Sequence, residues 1–86
     1  MRILVLGYNA LDVTVPIRGV LLPDGKHAVD EILLGGGGPG ATAAVALARL
    51  GAEVALVTVF GDDVGARLQR AELTAAGVDI SRCITV

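Results

Sequence analysis

The sequence predicts an α/β fold with a parallel sheet, and three observations favour it. Residues 2–6 and 53–60 are aliphatic and β-branched runs with the length and composition of buried strands. Residues 41–50 and 64–75 have the apolar spacing of helices, and each follows an extended run. Extended and helical segments therefore alternate along the chain, which is typical of an open parallel sheet covered by helices.

The composition agrees with this fold but is unusual for so small a protein. The 86 residues are 53% hydrophobic and 2% aromatic, and 12 are glycine. Small aliphatic side chains suit buried parallel strands. A self-sufficient protein of this size usually needs disulfides, a metal ion or large core side chains. We therefore expect residues 1–86 to form a single, incomplete α/β unit of a larger protein.

The first half of the chain predicts one strand followed by a hairpin. Residues 2–6 (Arg-Ile-Leu-Val-Leu) form the strand. Residues 13–18 then alternate between apolar and polar side chains, and residues 28–34 form a second extended run. Between them, Pro23-Asp24-Gly25 predicts a turn in which proline presets φ and glycine takes the positive-φ position. The prediction is a β-hairpin over about residues 13–34, inserted after the first strand.

The second half predicts a glycine-rich loop and then alternating helices and strands. The loop is Gly35–Gly40, and it opens a helix over residues 41–50. The strand over residues 53–60 is followed by a helix over 64–75, and residues 84–86 begin a further strand. Glycines suited to the position after a helix are Gly51 and Gly77. The residues expected on the buried face of the second helix are Val64, Leu68, Ala71 and Ala75.

Charge and cysteine content argue against several classes of function. The net charge is −2 and the seven basic residues are scattered, so we expect no nucleic-acid partner. The longest uncharged stretch, residues 32–48, contains five glycines and a proline, and we expect no membrane span. Cys83 is the only cysteine, which excludes an internal disulfide and a cysteine-based zinc site. We expect a cytoplasmic protein without a metal site in these residues.

The glycine run permits a dinucleotide site when it is considered alone. Gly35, Gly37 and Gly40 have the G-x-G-x-x-G spacing, and Asp62 and Asp63 lie about 20 residues further on. Two features weigh against this alternative. A strand and a hairpin precede the glycines, whereas the fingerprint normally follows the first strand. The two aspartates also follow Gly61 at the start of a helix, where aspartate is a preferred N-cap.

The order of motifs resembles the N-terminal region of the PfkB family of ribokinase-like carbohydrate kinases. The matching segments are Leu-Gly-Tyr-Asn-Ala-Leu-Asp (6–12), Gly-Gly-Pro-Gly-Ala-Thr-Ala-Ala-Val-Ala (37–46), Arg-Leu-Gly-Ala (49–52), Phe-Gly-Asp-Asp-Val-Gly (60–65) and Ala-Gly-Val-Asp (76–79). The resemblance extends over essentially the whole chain. It implies the N-terminal portion of a ribokinase-like parallel-sheet domain, in which the hairpin is a lid over the substrate.

The resemblance also implies a site for a sugar or a nucleoside. Asp12 matches the substrate-binding aspartate of the family, and its carboxylate can accept hydrogen bonds from hydroxyls. Gly37 and Gly38 match the family's glycine pair, where backbone can approach a ligand closely. Thr42 stands where many members carry asparagine, which leaves the identity of the sugar open, and Asn9 could reach the same site. We further expect the helix N-terminus beside these glycines to offer unpaired N–H groups to the ligand.

The catalytic machinery implied by the resemblance does not occur among these residues. PfkB kinases transfer a phosphoryl group from ATP with Mg²⁺, using a base in a Gly-Ala-Gly-Asp motif. No such motif is present, so the base and the ATP site are expected downstream of Val86. We expect the 86-residue chain alone to bind no cofactor and to be inactive. The lid hairpin of such kinases often pairs between subunits, which makes a homodimer an expectation as well.

Overall fold

The computed structural model describes residues 1–86 and contains six strands and two helices. The elements, in chain order, are β1 (Arg2–Leu6), β2 (Ala10–Thr14), β3 (Leu33–Gly37), α1 (Pro39–Arg49), β4 (Glu53–Val57), β5 (Val59–Phe60), α2 (Val64–Ala75) and β6 (Ile84–Thr85). Only Thr58 separates β4 from β5. The predicted alternation of strands and helices is therefore confirmed.

The parallel sheet is centred on β4 and β5. β1 pairs in parallel with β4, from Arg2 opposite Glu53 to Leu6 opposite Val57. On the other side, β5 pairs in parallel with β6, and a bridge joins Ala55 to Asp79. The predicted parallel sheet is confirmed, and the strand begun near the end of the chain takes part in it.

Both helices contribute to the core on one face of this sheet. Its eight buried residues are Ala41, Ala44, Val54, Leu56, Phe60, Ala66, Leu73 and Val78. Successive side chains of a strand point to opposite faces. In β1, Val5 packs against this core, whereas Leu4 and Leu6 are 58% and 72% exposed. The second face of the sheet is therefore apolar and uncovered. Neither helix has the length and apolar content required to cross a membrane.

Helix α1 begins earlier than predicted because Pro39 and Gly40 belong to its first turn. Proline suits the first helical position, where its missing N–H needs no partner. Gly38 precedes the helix with φ of 90°, in the region that favours glycine. Beyond the end of α1, Gly51 has φ of 97° and donates its N–H to the Ala48 carbonyl at 3.0 Å. The predicted glycine stop is confirmed.

Helix α2 buries a different face from the predicted one. The buried residues are Ala66, Gln69 and Leu73, whereas Val64 is 72% exposed. Three of the four residues expected on the buried face are Val64 and two alanines, and burying alanine removes little apolar area. Leu68, the fourth, is half-buried, and Leu73 enters the core.

The N-terminus of α2 provides a test of the predicted cap. Asp63 Oδ1 accepts the Ala66 N–H at 2.8 Å, whereas Asp62 is exposed and makes no cap hydrogen bond. We predict that Asp63→Ala lowers the free energy of unfolding by about 1 kcal/mol. The matched change Asp62→Ala should alter it by less than about 0.5 kcal/mol. Urea denaturation measures both values, and equal losses for the two variants would contradict the assignment of Asp63 as the cap.

The hairpin is confirmed, but its paired strands lie closer to its base than predicted. β2 and β3 pair antiparallel, from Ala10 opposite Gly37 to Thr14 opposite Leu33. Pairing stops at Thr14 because Pro16, two residues on, has no N–H to extend a ladder. Gly35–Gly37 form part of β3 rather than a loop, since their backbone continues the ladder opposite residues 10–12. We call residues 10–37 the lid hairpin.

The tip of the lid hairpin contains the predicted turn with one difference. The Gly25 N–H donates to the Leu22 carbonyl at 3.2 Å, which closes the turn around Pro23 and Asp24. Gly25 does not have a positive φ, whereas Gly19 does. Glycine occupies the last position of the turn, which does not require the left-handed region.

Candidate functional site

The predicted site residues lie around the start of α1, where the loop after β1 packs against the first turn of the helix. The Tyr8 carbonyl, in the loop after β1, accepts the N–H groups of Gly40 at 3.1 Å and Ala41 at 3.4 Å. A Cβ on Gly40 would lie 2.7 Å from the carbonyl carbon of Gly7. The loop and the helix therefore touch backbone to backbone. Sequence reasoning missed this role of Gly7, because the contact depends on how the loop folds back.

The expectation that α1 offers several unpaired N–H groups to a ligand is wrong. Gly40 and Ala41 donate to Tyr8, and Thr42 donates to the Gly38 carbonyl at 2.9 Å. Pro39 has no N–H. The loop after β1 packs onto the helix end and uses the donors that a ligand would need. The Gly38 N–H, which precedes the helix, has no acceptor within the chain.

A side chain at Gly37 or at Gly38 would disturb a close contact. Gly37 is buried, and a Cβ there would collide with Asp12 Oδ2 and lie 3.0 Å from Asp12 Cγ. Gly38 combines its positive φ with a Cβ position 2.8 Å from Asn9 Cα and from the Tyr8 oxygen. The backbone contact at Gly38 requires glycine, whereas a side chain at Gly37 would displace the Asp12 carboxylate. The glycine pair thus brings the Asp12 carboxylate and the loop after β1 together.

Asp12 presents a carboxylate with no partner inside the protein. It lies on β2, opposite Gly35, and is exposed. None of the side-chain hydrogen bonds or ion pairs of the chain includes it. A carboxylate in this state has all its acceptor sites available, and its hydrogen bonds are stronger than those of neutral acceptors.

Asn9 and Thr42 differ in how much of each side chain is available. The Asn9 Nδ2 donates to Thr58 Oγ1 at 2.9 Å and to the Val59 carbonyl at 3.0 Å, which ties the loop after β1 to the central strands. The Thr42 side chain is exposed and makes no hydrogen bond with the rest of the chain. Its hydroxyl can both donate and accept.

A cleft of about 790 Å³ separates α1 from α2. Asn9, Gly37 and Thr42 contribute to its wall, whereas Asp12 and Gly38 do not. The five residues are thus connected through Gly37 and Gly38 but do not line one surface. Gly37 connects the two groups, because it lines the cleft and also lies beside the Asp12 carboxylate.

Two polar side chains of α2 line the same cleft and were missed by sequence reasoning. Gln69 is 8% exposed, and its buried Oε1 has no hydrogen-bond partner. Glu72 Oε2 accepts the Gly36 N–H at 2.7 Å. Glu72 is not among the residues that the helical spacing placed on the buried face of α2. Only the packing of β3 against α2 shows the contact, so no signal in the sequence could have indicated it.

The geometry does not supply a dinucleotide fingerprint. Such a motif places its glycines in the turn between a parallel strand and a helix, where backbone N–H groups face a pyrophosphate. Here Gly35 and Gly37 lie within β3, which pairs antiparallel with β2 outside the parallel sheet. The third glycine, Gly40, donates its N–H to Tyr8. The glycine run instead forms one strand of the lid hairpin and the first turn of α1.

Comparison with known families gives one match over nearly the whole chain. Residues 2–86 match the model of the family described as pfkB family carbohydrate kinase. An ATP-dependent ribose-1-phosphate kinase from Halopiger xanaduensis is 35% identical over 80 residues. That alignment covers 93% of this chain and 27% of the relative, so the chain spans about a quarter of the relative's length.

Solved structures of similar proteins have the same fold over the same stretch. A carbohydrate kinase from Agrobacterium tumefaciens is 30% identical with a TM-score of 0.86, and the match covers 99% of this chain and 27% of that structure. A ribokinase from Cryptococcus neoformans, solved in complex with ADP, is 29% identical with a TM-score of 0.76. That match covers 99% of this chain and 26% of the ribokinase.

Proposed function

The chain belongs to the pfkB family of carbohydrate kinases, and on that premise we propose that it is the sugar-binding N-terminal part of an ATP-dependent kinase. The reaction is phosphoryl transfer to a hydroxyl of a sugar or nucleoside. The single observation that carries the proposal is the unpartnered Asp12 carboxylate beside Gly37. The chain spans 27% of its ribose-1-phosphate kinase relative, and we propose that it is carried by a longer polypeptide, which we call the full kinase.

The chemistry of sugar binding matches the groups left free around Gly37 and Gly38. A sugar presents adjacent hydroxyls, each of which can donate and accept a hydrogen bond. The Asp12 carboxylate accepts from two of them and the Gly38 N–H donates to an oxygen. Thr42 lies on the cleft side of Gly37, and its hydroxyl can donate or accept where a bound sugar extends to that side. Asn9 contributes by holding the loop that carries Tyr8, because its amide nitrogen already bonds to Thr58 and Val59.

We assign ATP and Mg²⁺ to other parts of the full kinase. Mg²⁺ is usually held by carboxylates together with substrate phosphates. The site proposed here has one free carboxylate, Asp12, which suits hydroxyls. In the reaction, Mg²⁺ neutralises charge on the transferring phosphoryl group when it is bound. The role of residues 1–86 is to bind the acceptor and to fix the position of its hydroxyl.

The uncovered face of the sheet supports the proposal that residues 1–86 are an incomplete unit. The apolar side chains on this face that are at least half exposed are Leu4, Leu6, Val59 and Ile84. Monomeric proteins seldom leave such a patch in water. We propose that the rest of the full kinase covers this face.

The lid hairpin supports a second proposal about assembly. Val13 and Leu34 are directly opposite each other in the ladder, and both are 57% exposed. We propose that this apolar surface pairs with a second lid in a homodimer, which sedimentation of the full kinase tests.

The free thiol of half-buried Cys83 is compatible with a reducing compartment, and we propose the cytoplasm as the location of the protein.

A coupled assay of ADP release tests the division of labour. We predict that the isolated 86-residue chain produces no ADP from ATP in the presence of pentoses, hexoses or nucleosides. The full kinase should turn over at least one member of the same panel. Turnover by the isolated chain would contradict the placement of the base and the ATP site elsewhere. A full kinase inactive on the whole panel would contradict the proposed function.

A further inference from the structure

We propose that Glu72 on α2 is a positioning residue for the sugar site: it holds the base of the lid hairpin by the backbone of Gly36 and so fixes the place of Asp12. The inference rests on the proposed function and adds to it a residue that makes no contact with the sugar. It also assigns α2 a role in substrate binding, although α2 carries none of the residues predicted from the sequence.

The first step is the contact between Glu72 and the edge of β3. Only β2 pairs with β3, so the opposite edge of β3 has no strand partner. The Gly36 N–H on this edge is exposed, and Glu72 supplies a charged acceptor for it in place of water. Glu72 Oε2 accepts the Gly36 N–H at 2.7 Å, a short distance typical of a charged acceptor. The carboxylate therefore takes the place of a missing strand at one position of the ladder.

A side chain at Gly36 would interfere with this bond, because it would meet the end of the Glu72 side chain. A Cβ on Gly36 would lie 2.7 Å from Glu72 Oε2 and 3.9 Å from Gln69 Cγ. On the neighbouring strand, Leu11 is directly opposite Gly36. A Cβ on Gly65, at the start of α2, would lie 3.1 Å from Leu11 Cδ2. The paired strands β2 and β3, which we call the lid base, therefore both contact α2, at points about two helical turns apart.

The bond between Glu72 and Gly36 is linked to the sugar site through the backbone of β3. Gly36 lies between Gly35, which pairs with Asp12, and Gly37, which touches the Asp12 carboxylate. A shift of Gly36 therefore moves both backbone neighbours of that carboxylate. Since the Asp12 side chain has no hydrogen bond of its own, its position depends on the ladder and on these glycines. Loss of the Glu72 contact should weaken the affinity for the sugar and leave the rate of phosphoryl transfer unchanged.

The test compares Glu72→Ala, Glu72→Gln and the control Thr74→Ala in the full kinase. Thr74 is exposed on the same helix, and its side chain makes no hydrogen bond with the rest of the chain. Glu72→Ala should raise KM for the sugar about fivefold and leave kcat within about twofold, since a net hydrogen bond contributes about that factor. Glu72→Gln keeps a carbonyl acceptor and should restore KM to within about twofold. Thr74→Ala should match the wild type.

A second readout follows the bond itself. Hydrogen exchange at the Gly36 amide should be faster in Glu72→Ala than in the wild type, and Glu72→Gln should restore its protection. If Glu72→Ala lowers both kcat and the free energy of unfolding, and Glu72→Gln restores neither KM nor the protection of Gly36, Glu72 has a merely structural role and the inference is overturned.

The outcome for Asp12→Asn separates this inference from the proposed function. If Asp12→Asn raises the sugar KM while Glu72→Ala changes neither KM nor Gly36 exchange, the positioning role fails and the proposed function stands. If Asp12→Asn leaves the sugar KM unchanged, the sugar site itself is misplaced and both proposals fail.

Discussion

Replacing Gly38 with alanine is expected to lower the free energy of unfolding by about 3 kcal/mol. Its φ of 90° strains any L-residue by roughly 1–2 kcal/mol. The new Cβ would also lie 2.8 Å from backbone atoms of Tyr8 and Asn9, which cannot move aside as a side chain would. Such overpacking costs about 1–3 kcal/mol, and the reduced entropy of the unfolded chain returns less than about 1 kcal/mol.

Three other glycines separate the two causes of this loss. Gly35 has an ordinary φ and open space around its Cβ position, so Gly35→Ala should change stability by less than about 0.5 kcal/mol. Gly19 has φ of 80° and open space, which isolates the strain at about 1 kcal/mol. Gly40 isolates the backbone contact with Gly7, and we expect about 2 kcal/mol there. Denaturant unfolding measures the free energy of unfolding of all four glycine-to-alanine variants. A Gly38→Ala variant as stable as Gly35→Ala would contradict the packing described for the start of α1.

The change Asp12→Asn is expected to raise the KM of the full kinase for its sugar about tenfold or more. A hydrogen bond to a charged group contributes about 1.5–3 kcal/mol, and one to a neutral group about 1 kcal/mol. The substitution keeps the shape of the side chain and removes its charge. Because Asp12 has no partner within the protein, stability should change by less than about 0.5 kcal/mol.

The control for this prediction is Asp62→Asn. Asp62 is exposed and lies next to the cap of α2. Its substitution therefore removes the same charge as Asp12→Asn, but from a position outside the lid hairpin. Its variant should have the KM of the wild type for the sugar, and both variants should have the wild-type KM for ATP. A sugar KM that is the same in Asp12→Asn and Asp62→Asn would show that Asp12 does not contact the substrate.

Local signals in the sequence were sufficient for the strands of the parallel sheet and for the glycine stop after α1. The aliphatic run over residues 53–60 predicted the central strand, which the structure interrupts only at Thr58. The sequence left Asp62 and Asp63 as two candidates for the cap of α2, and the hydrogen bond from the Ala66 N–H in the structure identifies Asp63. Gly51 met the need for positive φ after a helix. Each of these features depends on atoms within a few residues of one another.

Features that depend on distant residues were not predictable in the same way. The boundary of the lid hairpin is set by the pairing of Gly35–Gly37 with residues 10–12, which makes glycines part of a strand. The donors at the start of α1 are used by Tyr8, 32 positions before Gly40 in the chain by their numbers. The face of α2 is chosen by Leu73 and by the lid base, and the bond from Gly36 to Glu72 spans 36 positions. Periodicity in one segment carries no information about these contacts.

The most direct test of the sugar site is hydrogen exchange of the full kinase with and without saturating sugar, in the absence of nucleotide. We predict that the sugar slows exchange in the segments around Asp12 and around Gly38–Thr42. In Asp12→Asn at the same sugar concentration, this protection should be largely lost. Protection confined to regions outside residues 8–42, or protection unchanged in Asp12→Asn, would contradict the assignment of this corner of the fold as the sugar site.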